Sequence, residues 1–208
     1  MSRVMVKTLF TNAFANSLLF TYIELTFVIN KGTLMTMLSD ITLTPFSNSL
    51  NVAIHLMTKA KAHFESQNRN TNDIVDLQLV DDMLPLSFQI NAICQHTLQA
   101  TKAVLSSNFY IPSPLGEIDF HGLIKLLQNT QKELSEITEN EVNSRSGETV
   151  IFHYPERPMT FTADNFITSF STPNLYFHQT TLYNLLRKEG VPLSKIDFIG
   201  ALSLSPSE

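Results

Sequence analysis

The sequence predicts an all-α fold, an antiparallel four-helix bundle with a small β-hairpin before the last helix. Three observations predict it. Four separate stretches carry apolar residues at spacings of three and four, the signature of a helix with one buried face. Proline, glycine or polar runs close each stretch. Only one short segment alternates with the period of a strand. Four amphipathic helices can bury their apolar stripes only against one another, which is the packing of a bundle.

The first helix opens at Pro45 and runs on Phe46, Leu50, Ala53, Ile54, Met57, Lys61 and Phe64, with Lys61 the one polar member. A polar loop follows at Gln67–Asn72, where side-chain amides and hydroxyls compete with backbone hydrogen bonds. The second helix is expected to start after Asp81 or Asp82, with Pro85 in its first turn. It reaches about Ser106 on the stripe Leu86, Ile90, Ile93, Thr97, Ala100 and Val104. Asn108 to Gly116, with two prolines, reads as a connecting loop. The third helix is expected from about Phe120 to Thr138, on Leu123, Leu127, Thr130, Leu134 and Ile137. Glu139 to Gly147 reads as a further loop. Val150, Phe152 and Tyr154 then alternate against Ile151 and His153, and after Pro155-Glu156-Arg157-Pro158 the alternation resumes at Met159 and Phe161. That is the hairpin. Thr162 or Asp164 caps a short helix to about Phe170, and Pro173 opens the last one. Leu175, His178, Leu182, Leu185 and Leu186 share its face, Arg187 and Lys188 suit its C-terminal dipole, and Gly190 with Pro192 ends it.

With 208 residues the chain is expected to hold one principal domain. Its formal charge of −5 and 14 scattered basic residues argue against nucleic acid as a partner, because phosphate binding needs concentrated Lys and Arg. The single cysteine, Cys94, leaves no intrachain disulfide and fits a reducing compartment. There is no glycine-rich phosphate loop, paired-cysteine zinc motif or nucleophile elbow. Residues 1–36 stand apart as an N-terminal extension. Thr8 to Ile29 is mostly apolar but interrupted by Asn12, Asn16 and Glu24. Three readings stay open for this extension: an upstream or misassigned start, a presequence, and a membrane anchor over residues 8–29. Residues 203–208 read as a tail. The expected location is the cytoplasm, with the mitochondrion as the alternative if the extension is a presequence.

Three segments carry a resemblance. They are Asp82-Met83-Leu84-Pro85-Leu86 ahead of a helix, Asn174 through His178 followed by Tyr183, and Gly190-Val191-Pro192-Leu193 with Asp197-Phe198-Ile199-Gly200. In this order they resemble an uncharacterised family, domain of unknown function nineteen ninety-three, of the DinB/YfiT-like superfamily of putative metalloenzymes, over residues 37–202. The resemblance implies a DinB-like four-helix bundle and, at superfamily level, a site for a divalent transition metal. It implies no activity.

His178 is the principal candidate site residue. In metal-binding relatives the last helix offers His-x-x-x-His, because side chains four apart share a helical face. Here His178 takes the second of those places and Asn174 the first, while the second helix offers Gln89, Asn91 and His96. One imidazole with two amides is a poor set for zinc, so a degenerate metal site or a small-molecule pocket around His178, Asn174, Gln89, Tyr176 and Tyr183 is the functional expectation. The alternative is a non-catalytic bundle that mediates self-association, as a homodimer, or partner binding. Whether the chain is an enzyme stays open. Asp81 and Asp82 read as helix caps, Cys94 as a small buried hydrophobe, and His55, His63, His121 and His153 as structural residues on separate elements.

Overall fold

The structure, a computed structural model, describes residues 36–202 and Leu204. The chain divides after Thr36, and the second unit, Met37–Glu208, contains all the elements below. The expected extension, the anchor over residues 8–29 and nearly all of the tail lie outside the described residues.

Helix α1, Leu43–Ser66, buries Phe46, Leu50, Ala53, Met57 and Phe64 as expected. Its stripe continues through Ala60, which is buried, whereas Lys61 is exposed and pairs loosely with Glu65. The polar loop contains a short 3₁₀ turn, Thr71–Ile74, whose cap Asn70 accepts a hydrogen bond from the Asn72 backbone. Helix α2 is one continuous run: Leu86–Cys94, a widened π turn at Gln95–Gln99, then Ala100–Ser106. Neither Asp81 nor Asp82 caps it. Its first-turn amides are satisfied by backbone carbonyls instead, Leu86 donating to Leu77 O and Ser87 to Val75 O.

Strand β1, Asn108–Tyr110, lies inside what the sequence reads as a loop. Helix α3, Phe120–Ser135, is capped by Asp119, whose carboxylate accepts from the Gly122 backbone at 2.7 Å. It stops short of the expected Thr138, because Thr138 is itself a cap. With Glu141 it forms a capping box on the short helix α4, Glu139–Asn143, where a loop was expected. Strands β2, Thr149–His153, and β3, Met159–Thr162, form the expected antiparallel hairpin, with Val150 opposite Phe161. β1 adds to β2 in parallel, Phe109 opposite Phe152, so the sheet has three strands in the order β1-β2-β3. A parallel pair needs a crossover connection, supplied here by the chain through α3 and α4. Most of the described chain is therefore helical, and the purely all-α expectation misses one strand.

Helix α5 runs without a break from Ala163–Asn165 through a π turn at Phe166–Ser171 into Thr172–Lys188. Thr162 caps it by accepting from the Asn165 backbone. Pro173 does not open a new helix, since Ser171 and Thr172 both have helical dihedrals. Proline inside a helix removes a backbone donor and crowds the preceding turn, and the widened turn just before Pro173 is where that is accommodated. Leu175, Leu182, Leu185 and Leu186 are fully buried. Helix α6, Lys195–Ile199, closes the chain against α1. The Asp197 carboxylate there accepts from Ser194 N at 2.7 Å, His55 Nε2 at 2.7 Å and Lys59 Nζ at 3.0 Å.

Among the described residues, no helix is long and apolar enough to cross a membrane.

Candidate site between two facing helices

Helices α2 and α5 cross in antiparallel register, and the site forms at the crossing. Two hydrogen bonds mark the register: His178 to Gln89, and His96 to Ser171. On each helix a histidine stands seven residues, about two turns, after the residue that the opposite histidine meets. Helical side chains tilt toward the N-terminus of their own helix, which in an antiparallel pair tilts the two histidines toward each other. Their rings lie nearly parallel, 11° apart, with centroids 6.0 Å apart.

The hydrogen bonds fix the proton on each ring. The Leu84 carbonyl can only accept, so Gln89 turns its Nε2 to it, at 2.8 Å. That leaves Gln89 Oε1 facing His178 Nδ1 at 2.8 Å, an acceptor that requires the proton on Nδ1. Ser171 acts in the same way on the other ring. Its hydroxyl proton is committed to the His96 carbonyl at 3.0 Å, so it presents a lone pair to His96 Nδ1 at 3.4 Å. Both imidazoles therefore carry their free lone pair on Nε2, and nothing among the described residues bonds to either Nε2.

Burial keeps both rings neutral. Desolvation pushes the His178 pKa down to about 4. His96, buried at 8 % exposure, is pushed down to about 3 by desolvation first and by its neighbour His178 second. Aromatic rings surround the pair: Phe88 and Phe177 lie edge-on to His178, and Phe109 and Phe170 pack on His96. From 86 to 101 and from 165 to 186 the two helices carry no Asp, Glu, Lys or Arg.

The structure joins His178 to Gln89, both expected at the site, and adds His96, whose register the sequence leaves open. Asn174 lies one turn before His178, but its Nδ2 is spent on the Phe170 carbonyl at 2.7 Å. Tyr176 is 43 % exposed, and Tyr183 directs its hydroxyl to the Leu193 carbonyl. No hydrogen bond or ring contact joins either tyrosine to His178 among the described residues. Asn91 turns away to the Ser113 carbonyl. Cys94 is buried and its thiol pKa is pushed up to about 12 by that burial, which makes it inert as a nucleophile. His55 and His153 serve structural bonds, to Asp197 and to Asn108.

Of the two histidine places on the last helix, His178 fills one and Asn174 stands in the other. Gln89 and Asn174 are amides already committed to protein partners. Among the described residues no three His, Cys, Asp or Glu side chains gather in one place.

Residues 38–199 match the family model described as domain of unknown function DUF1993. Among solved structures, the chain is similar to a crystal structure of a DinB family member protein from Shewanella denitrificans. The TM-score is 0.69 and the identity 23%, over 82% of this chain and 96% of that one. At that identity the likeness speaks for the fold alone. No curated protein matches the chain.

Proposed function

The chain belongs to the DUF1993 family of domains of unknown function, and from that premise we propose that it is a DinB-like four-helix-bundle protein that binds a small organic molecule at His178 without a resident metal. One observation supports this most: Gln89 holds the His178 ring in the tautomer that leaves Nε2 as a hydrogen-bond acceptor. A neutral acceptor rimmed by the edges of Phe88 and Phe177 suits a ligand with an apolar body and a donor group. A ring with so depressed a pKa is a weak base at neutral pH, which favours binding over general-base catalysis. We infer a cytoplasmic location from the lone reduced cysteine.

The test pairs two measurements on the full chain, purified without chelator or affinity-tag metal. Elemental analysis is expected to find far less than one metal ion per chain. Phenol is expected to shift the His178 ring signals in an NMR titration, and His178→Ala to remove the response. One tightly held metal ion per chain, lost in the variant, would overturn the metal-free reading. A folded protein that ignores phenol would leave the interaction reading, for which the exposed Phe177 and Tyr176 are the natural surface.

A further inference from the structure

Away from the histidine pair, we propose that the outer edge of strand β3 is an interaction surface for a second copy of this chain, β3 pairing antiparallel with β3 about a two-fold axis at Thr160.

The strand order β1-β2-β3 gives the sheet two outer edges. On β1 the outward carbonyls are taken. Tyr110 O accepts from Gln95 Nε2 at 2.7 Å, and Asn108 O accepts from the Ser106 hydroxyl at 3.4 Å. The β3 edge differs. Ile151 donates its N–H to Ser107 O beside β1, so Ile151 faces β1 and its neighbours Val150 and Phe152 face β3. Their partners Phe161 and Met159 turn their backbone groups inward, and Thr160 and Thr162 turn theirs outward. Among the described residues, nothing bonds to the Thr160 N–H, the Thr160 carbonyl or the Thr162 N–H.

The order of these groups selects the occupant. By the same alternation Pro158, one step before the strand, turns its carbonyl outward, and proline has no N–H to offer. Thr162 is the N-cap of α5, so its own carbonyl takes the first helical bond. The edge therefore presents an acceptor at 158, a donor and an acceptor at 160, and a donor at 162. Reversed, this series is its own complement. Two copies form two bonds between their Thr160 residues and two from each Thr162 N–H to the second copy's Pro158 carbonyl, with no group left over. An ordinary strand brings a donor and an acceptor opposite every outward residue. It leaves a carbonyl facing Pro158 and an N–H facing Thr162 without partners, and each is a cost once water is excluded.

Side chains agree with this register. Met159, 37 % exposed, stands opposite the second copy's Phe161, which packs on Phe166 and Phe170 within its own chain. Thr160 meets itself, a favourable cross-strand pair. Residues 158–162 carry no charge, whereas edges that resist pairing commonly carry lysine. Just outside, Glu156 and Arg157 come level with the second copy's Asp164, one charge of each sign, so charge neither drives nor blocks the contact.

The experiment is sedimentation velocity on the full chain across a concentration series, paired with backbone amide exchange. The contact is small, so the expected dissociation constant is on the order of 100 μM. The Thr160 and Thr162 amides are expected to exchange more slowly as concentration rises. Thr160→Pro removes the central donor without breaking a bond inside the chain, and is expected to give a folded monomer. Thr160→Lys sets like charges face to face on the axis and is expected to weaken the dimer at least about tenfold, while Thr160→Val keeps it. The lysine variant carries the test should the proline variant fail to fold. A chain that stays monomeric at about 1 mM overturns the proposal. So does a dimer that Thr160→Lys leaves intact, or one in which the two amides exchange at the same rate at every concentration.

Discussion

At the scale of single residues, His178 and His96 make stability depend on acid. Both pKa values are lower in the folded chain than the ordinary value of 6.5. Below about pH 6.5 the unfolded chain takes up protons that the folded chain refuses, so stability falls as pH drops toward 4 and is level above 6.5. Denaturant titrations across that range are expected to show this slope, and His178→Gln to make it shallower; an unchanged slope would mean the ring is as basic as a free histidine. Cys94 offers a simpler check. Its buried thiol is expected to resist an aromatic disulfide reagent in the native protein and to react once denaturant is added. The sequence makes Cys94 and His178 legible because each sits on or beside an apolar stripe. It cannot show that His178 bonds to Gln89, or His96 to Ser171, pairs that stand 89 and 75 residues apart.

The elements show where a helical pattern read along one chain loses information. The stripes of α1, α2 and α3 are visible in the sequence because a 3.6-residue period records which face is buried. The π turn of α2 is invisible to it, because Ile93, Thr97, Ala100 and Val104 keep spacings of three and four and are all buried across the turn. The stabilisation of the π turns is partly local and partly tertiary. In α2 the Thr97 hydroxyl donates to the Ile93 carbonyl at 2.7 Å, and Ser171 reaches the His96 carbonyl from the other helix. Ser171 is fully buried, so Ser171→Ala leaves that carbonyl without its side-chain donor and is expected to cost about 1–3 kcal/mol in chemical denaturation. It also frees the His96 ring to change tautomer, which 15N chemical shifts of the imidazole would register. Strand β1 escapes the sequence for a related reason. Three residues carry too little alternation to read, and β1 exists because β2, four decades of residues later, supplies its hydrogen bonds.

For the whole molecule, the C-terminal clasp is the feature that joins the ends of the described chain. Asp197 binds Ser194, His55 and Lys59 together, and those bonds hold its carboxyl well below the usual carboxylate range, the His55 bond foremost. Gly200 follows at φ +70°, where a Cβ would stand 2.6 Å from Val52 Cγ2. Gly200→Ala is therefore expected to lower stability by about 1–3 kcal/mol, from left-handed strain and overpacking against α1. Differential scanning calorimetry would read this as a lower melting temperature, and no change would show that α6 docks without needing this turn. The sequence by itself determined the four long helices, most of their buried faces and the family, because periodicity and local signatures are written in neighbouring residues. Tertiary structure alone decided the third strand, the continuity of α5 through Pro173, and the pairing of two neutral histidines across α2 and α5. Each of these depends on a partner far along the chain, and only the packed fold brings such partners within reach of a hydrogen bond.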